Sequence, residues 1–277
     1  MSIIMAGISP HPALLIPEVG GREISKVRNT VESLKTLAGR IAALRADTVV
    51  FITPHGPMFR DAVVILAEEK LEGDFKNFGA PQVKLQVKND LELVSSIAEE
   101  SEKEQLDLVL LKKDNSYFLR DETTLDHGIT VPLYYLQEAG AAERCVAVTF
   151  AMLSFSDLFR FGIALKRAVD NSGRKVAVVA SGDLSHRLTS DAPAGYSPRG
   201  QEYDQKVVDF LKTYQVEKLL SIDPELVSAA GECGLRSFII MLGSLFGQKI
   251  RSEILSYEGP FGVGYLVAAF TPEYKED

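Results

Sequence analysis

The chain of 277 residues contains four histidines, and all of them lie where a loop or a helix is predicted to begin. Three of them, His11, His55 and His186, each follow a short apolar run rich in β-forming residues, and His127 stands just before an apolar, helix-like stretch. Prolines flank His11 and His55; proline fixes its own φ and favours extended geometry in the residue before it. Neutral imidazole is a common ligand for iron, zinc and copper. The pattern therefore indicates a pre-organised metal or catalytic site.

Glu232 is the carboxylate that we expect to complete such a site. It lies in the segment Gly231-Glu232-Cys233-Gly234, at a predicted helix start where the helix dipole favours a negative charge. Two histidines and one carboxylate on one face of a metal leave positions open for substrate and oxygen, as in non-heme ferrous oxygenases. With Fe(II) such a site keeps one net positive charge, which a catecholate anion would offset. Cys233 is a competing ligand, because thiolate binds zinc and copper well.

Each of these residues also has a simpler interpretation. A single loop histidine usually forms a hydrogen bond or faces solvent, and Glu232 could be an acid that only stabilises a helix start. Asp126 and Asp183 are typical turn or N-cap residues. Their functional interpretation is that each orients a neighbouring histidine.

The elements that must position these residues follow from the apolar pattern. We predict strands near 3–8, 47–53, 61–67, 82–88, 106–111, 144–150, 174–181, 249–256 and 262–270. We predict helices near 23–45, 89–104, 129–139, 154–171, 199–221 and 232–247. Alternating strands and helices, with strands apolar throughout, predict an α/β fold: a single three-layer α/β/α domain around a mixed, mostly parallel sheet.

This fold would gather three of the histidines. In open α/β sheets, ligands bind beyond the carboxyl ends of the strands. His11, His55 and His186 all follow predicted strands. If these strands are parallel neighbours, the three imidazoles converge on one crevice.

Composition excludes several classes of partner. The chain is 46% hydrophobic and 25% charged, as is typical of globular domains. A net charge of −8 argues against a nucleic-acid or anionic-membrane surface. The longest apolar stretch, near 238–246, is too short to span a bilayer. Two cysteines, Cys145 and Cys233, make no disulfide framework, so we expect a cytoplasmic protein.

Other catalytic motifs are not supported by their context. The glycine-rich segment 259–265 leads into a predicted strand rather than a helix, which argues against a dinucleotide site. Ser181 and Ser185 lie near His186, but the sequence lacks the G-x-S-x-G elbow of a serine hydrolase.

The order of the motifs resembles a known family. His11, His55, His127, the segment Ser-Gly-Asp-Leu-Ser-His ending at His186, and Glu232 follow one another as in the class III extradiol ring-cleavage dioxygenases. The resemblance is closest to the catalytic β-subunit of protocatechuate 4,5-dioxygenase, the LigB-like group, and covers nearly the whole chain. It implies one catalytic domain over residues 1–277.

The resemblance also implies a reaction and roles for these residues. It implies an Fe(II) cofactor held by His11, His55 and Glu232, with His186 as the acid/base and His127 lining the pocket. The expected partners are a small aromatic substrate and O2, and relatives form homo-oligomers or bind a small second subunit.

Memo-like proteins of the same superfamily offer an alternative. The pair Asp126-His127 and the segment Cys233-Gly234-x-Arg236 are similar to their motifs, in which a cysteine takes the third metal position. This resemblance implies a protein that binds zinc or copper without ring cleavage and acts in a multi-protein system. A metallohydrolase is less favoured, because the additional Asp and His ligands of two-metal sites are not evident.

Overall fold

The apolar runs of the sequence form one mixed sheet with helices on both faces, as predicted. A computed structural model describes residues 2–113 and 123–273. The strands are β1 (Ile3–Ser9), β2 (Thr48–Thr53), β3 (Val63–Leu66), β4 (Lys70–Phe75), β5 (Ala80–Asn89), β6 (Leu108–Leu111), β7 (Arg144–Thr149), β8 (Val176–Ser181), β9 (Ile250–Glu258) and β10 (Tyr265–Pro272). The helices are α1 (Pro17–Gly20), α2 (Arg28–Leu44), α3 (Leu91–Lys103), α4 (His127–Glu138), α5 (Phe155–Ser172), α6 (Pro198–Lys212), α7 (Val216–Leu220), α8 (Pro224–Ala230) and α9 (Leu235–Ser244).

The centre of the sheet is parallel and its margins are antiparallel. The main path of strands runs β4-β5-β7-β2-β8-β1-β10-β9, and β3 and β6 pair beside β7. Strands β5, β7, β2, β8 and β1 are parallel to one another, whereas β4, β10 and β9 are antiparallel to their neighbours. This is the mixed, mostly parallel sheet that the strand and helix pattern predicts.

Alternate residues of the central strands enter two hydrophobic cores. Val50 and Ile52 of β2 face the side covered by α3, α5, α6 and α9. Val49 and Phe51 face the side covered by α2 and α4. Because β2 is buried on both faces, its sequence is apolar throughout rather than alternating.

Several predicted boundaries differ from the structure. Strand β4 lies in a segment predicted as a connection, since its charged, glycine-containing sequence lacks a continuous apolar run. The helix predicted over 199–221 is two helices, because Tyr214 adopts a left-handed φ of 52° between them. Helix α2 begins at Arg28, after a 3-10 segment over Gly21–Val27.

Between residues 2 and 113 and from 123 to 273, the structure contains no helix that is both long and apolar enough to cross a membrane.

Candidate functional site

The carboxyl ends of three parallel strands deliver three of the histidines to one place. Strand β8 lies between β2 and β1, with Ile52 opposite Ala180 and Ser9 opposite Ser181. The strands therefore end at the same level of the sheet. The loops that follow them carry His11, His55 and His186.

His11, His55 and Cys233 form the tightest group of candidate ligand atoms. The Nε2 atoms of His11 and His55 are 2.9 Å apart, and Cys233 Sγ is 3.5 Å from His11 Nε2. The three ligand atoms all lie within 4.8 Å of one another. Two nitrogens each bound about 2.0–2.1 Å from one tetrahedral ion would be about 3.3 Å apart, so this spacing suits a single ion.

Burial keeps these imidazoles neutral. It lowers the pKa of His11 well below its usual value, and His55, His127 and His186 lower it further. Partial desolvation of its ring lowers the pKa of His55 to about 4, with smaller contributions from His127 and His186. The ring nitrogens therefore keep lone pairs for a metal at neutral pH.

A hydrogen bond on the far side of its ring fixes the orientation of His11. Its Nδ1 lies 2.9 Å from Ser181 Oγ, so its Nε2 faces His55 and Cys233. Its backbone N–H donates to Asp183 Oδ1 over 3.2 Å. A partner on the far ring nitrogen fixes the orientation of a metal-binding histidine. His11 is buried and His55 is exposed, so a ligand reaches the group from the His55 side.

His127 joins the group from the start of α4. Its ring stacks on His55 with centroids 4.2 Å apart. Asp126, the N-cap of α4, accepts a hydrogen bond from the Gly128 N–H. Thr53 Oγ1 donates to the same carboxylate over 2.7 Å, which ties the end of β2 to the start of α4. Asp126 is therefore a cap that also positions His127 beside His55.

His186 and Asp183 also approach Cys233. His186 Nε2 is 3.7 Å from Cys233 Sγ and 3.8 Å from Asp183 Oδ2. The same carboxylate oxygen lies 3.7 Å from His11 Nε2. Asp183, His186 and Cys233 thus form a second, overlapping group with metal-ligand spacing.

Asp183 contacts more of the candidate site residues than its sequence position, typical of a turn residue, predicts. Its carboxyl group lies between two imidazoles, and its backbone N–H donates to Cys233 Sγ over 3.3 Å. Burial raises its pKa to about 7. The signal available in the sequence is its place between the end of β8 and His186.

Glu232 does not join the histidines. Its Oε2 accepts a hydrogen bond of 2.6 Å from the Leu235 N–H and so caps α9. Burial raises the pKa of Glu232, while the Leu235 N–H and Arg236 act in the opposite direction. Among the residues that the structure describes, the groups with metal-ligand spacing contain Cys233 and not Glu232. The geometry thus favours the cysteine of the two neighbours, and Glu232 as a ligand stays a prediction.

The Cys233 thiol is protonated when no metal is bound. Burial raises its pKa well above the usual value, and the carboxyl group of Asp183 raises it further. Metal ligation by cysteine requires the thiolate, so binding at this residue must displace the proton.

Two glycines set the approach of the loops that carry His186 and Cys233. A Cβ atom added at Gly182 would lie 2.1 Å from the Gly234 Cα, which is backbone and cannot rotate away. We expect Gly182→Ala to lower the free energy of unfolding by about 1–3 kcal/mol, because overpacking forces backbone shifts. It should weaken metal binding as well. Urea unfolding and metal titration would measure both.

Gly39 is the matched control for this substitution. It is exposed in α2, and a Cβ atom there would meet nothing within 4 Å. Gly39→Ala should raise the free energy of unfolding by about 0.5–1 kcal/mol through helix propensity. If Gly182→Ala behaved like Gly39→Ala, the close approach of the two loops would not be a constraint.

Comparisons with known proteins identify a family model and two curated relatives that match this chain. The model of the family described as the catalytic LigB subunit of aromatic ring-opening dioxygenase matches residues 5–268. Protein CA_C1420 of Clostridium acetobutylicum is 42% identical over 258 residues, covering 93% of this chain. The chain spans only 55% of that relative's length. A 3,4-dihydroxyphenylacetate 2,3-dioxygenase of Escherichia coli is 24% identical over 265 residues, covering 91% of this chain and 93% of its own length.

A solved structure shares the fold. The crystal structure of an uncharacterised protein, JW3007 of Escherichia coli K12, superposes with a TM-score of 0.63 at 14% sequence identity. The match covers 96% of this chain and 99% of that one. The match of the family model over nearly the whole chain shows that this protein belongs to the LigB family of catalytic subunits of aromatic ring-opening dioxygenases.

Proposed function

We propose that this protein is a metal-dependent dioxygenase that opens the ring of a catechol-type aromatic compound with O2. The observation that carries the proposal is the convergence of His11, His55 and Cys233, with two further histidines beside them. A purely structural metal site is closed by protein ligands and has no need of His127 and His186. Family membership supports the reaction class.

The donor set suits a redox-active or Lewis-acidic ion. His11, His55 and Cys233 would hold it, and three protein ligands leave coordination positions for small molecules. A bound ferrous ion would supply Lewis acidity and a path for electrons from the aromatic substrate to O2.

The remaining residues move and direct protons. Burial lowers the pKa of His186, so its imidazole is neutral and can accept the proton of a substrate hydroxyl. It can return that proton to an oxygen of the opened product. His127, stacked on His55, would donate a hydrogen bond to a substrate oxygen. Asp183 lies within 4 Å of both His11 and His186, and its carboxylate stabilises the protonated, positively charged form of either histidine.

The test is oxygen consumption by protein reconstituted anaerobically with Fe(II). We would offer a panel of catechols that includes protocatechuate and 3,4-dihydroxyphenylacetate, the compound named for the Escherichia coli relative. We expect O2 uptake to match the formation of a ring-opened product, followed by its visible absorbance. Iron that stays bound without O2 uptake on any catechol would contradict the proposal.

The identity of the third ligand favours a second candidate function. Thiolate is a better ligand for zinc and copper than a carboxylate is. A metal-binding protein that acts with other proteins, as in the Memo-like alternative, would need His11, His55 and Cys233 but no turnover. Its signature is tight zinc or copper binding without catechol-dependent O2 uptake.

A further inference from the structure

Three cations form a row across neighbouring strands, at the end of the sheet away from the histidines. Lys70 of β4 is directly opposite Lys88 of β5, and Lys88 is directly opposite Arg144 of β7. All three residues are exposed. Neighbouring strands are about 4.8 Å apart, so the three positive charges are held on adjacent positions of one surface.

This row runs against the usual pairing of charges. Like charges directly opposite each other destabilise a sheet. Elsewhere on the same two strands, Asp74 is opposite Lys84, which is a complementary pair. Within the described residues, none of the three cations forms an ion pair, whereas the nearby Arg174 is held by Asp90 and Glu92. The chain as a whole has a net charge of −8. An anionic ligand would relieve the repulsion in the row.

The row lines a concave surface large enough for a small molecule. The concavity has a volume of about 400 Å³, and its walls include Lys70, Lys88 and Arg144, with Glu143 as a carboxylate at the margin. A second concavity of about 510 Å³ shares Glu143 and Arg144 and adds Arg45, Arg174 and the carboxylate Asp47. Small-molecule sites typically measure about 300–1,000 Å³. The two neighbouring volumes offer room for a charged group and for an uncharged remainder.

This surface is separate from the histidine site. Arg144 begins β7, and Arg45 precedes β2, so both lie at the amino ends of parallel strands. His55 and His186 follow the carboxyl ends of β2 and β8. A ligand on the cationic row would not contact the candidate metal ligands.

We propose that this surface binds the linear di- or triphosphate group of a small molecule. Arg144 offers a guanidinium fork that matches phosphate oxygens, and the two lysines offer point charges on one side of it. A linear polyphosphate presents several negative charges in a line, which complements three cations in a row. Free polyphosphate and a nucleoside triphosphate share this chemistry, and they differ in use of the second concavity.

Calorimetric titration with sodium tripolyphosphate and with ATP tests the proposal at low ionic strength. We expect both to bind the wild-type protein, and Lys88→Gln to raise the dissociation constant at least fivefold. Tighter binding of ATP than of tripolyphosphate would assign the second concavity to the nucleoside, and equal binding would limit recognition to the phosphates. Metal content is measured before and after titration, because polyphosphates chelate metal ions.

Lys84→Gln is the matched control, since Lys84 is exposed on the same strand but opposite Asp74. It should change the dissociation constant by less than twofold. Without ligand, Lys88→Gln should raise the melting temperature because it removes repulsion, so weaker binding cannot arise from unfolding. The proposal fails if neither compound binds, if both glutamine variants bind alike, or if sodium sulfate at matched ionic strength binds as tightly as tripolyphosphate.

Discussion

Replacing Cys233 with serine is expected to weaken metal binding by at least about 100-fold, whereas Glu232→Gln should leave it within a few-fold of the wild type. Loss of an outer partner alone typically costs 10–100-fold in affinity, and removal of a direct ligand should reach or exceed that range. Cys233 Sγ lies 3.5 Å from His11 Nε2. Glu232 instead accepts the Leu235 N–H, and a glutamine oxygen can keep that hydrogen bond.

Competition with a chromogenic chelator measures this difference for zinc and Fe(II). Absorption in the near ultraviolet after loading with Co(II) provides an independent readout, because a bound thiolate gives a charge-transfer band that serine cannot give. Unfolding of both variants without metal controls for stability. Loss of metal in Glu232→Gln with retention in Cys233→Ser would instead support the carboxylate ligand that the sequence predicts.

The choice between these two neighbours shows where sequence analysis reaches its limit. Strand ends and proline-flanked histidines identify the site, because parallel strands bring their carboxyl ends to one edge of the sheet. Which of two adjacent side chains faces that edge depends on the local backbone. Gly231 adopts a left-handed φ of 62°, and Gly234 approaches the Gly182 backbone closely. A pattern of hydrophobicity or charge predicts neither the φ of Gly231 nor the close approach of Gly234 to Gly182.

Burial on both faces separates the strands that are predictable from those that are not. Strands β2 and β8 are buried on both faces, so their apolar runs identify them. Strand β4 is only partly buried and contains both acidic and basic residues, so no apolar run identifies it. Only its pairing with β5 does.

The prediction of a second copy or a small subunit as partner stays a prediction.

Exchange of His55 for alanine should abolish metal binding, whereas His186→Ala should retain the metal and lose turnover by about 10²–10⁴-fold, the usual range for a lost proton-transfer group. His55 Nε2 faces His11 Nε2 at 2.9 Å, so its removal leaves His11 and Cys233 of the group. His186 lies 3.7 Å from Cys233 Sγ and outside the group of His11, His55 and Cys233, so we expect it to exchange a proton with a substrate without holding the ion.

Iron content after desalting and O2 uptake with the best catechol separate the two effects. His186→Gln serves as the conservative variant, since its amide can form hydrogen bonds but cannot accept a proton at neutral pH; it should keep iron and remain slow. Loss of metal in the His186 variant with retention in the His55 variant would instead place the ion in the overlapping group of Asp183, His186 and Cys233. In that case His186 would be a ligand rather than the acid/base, and the division of roles among the four histidines would be reversed.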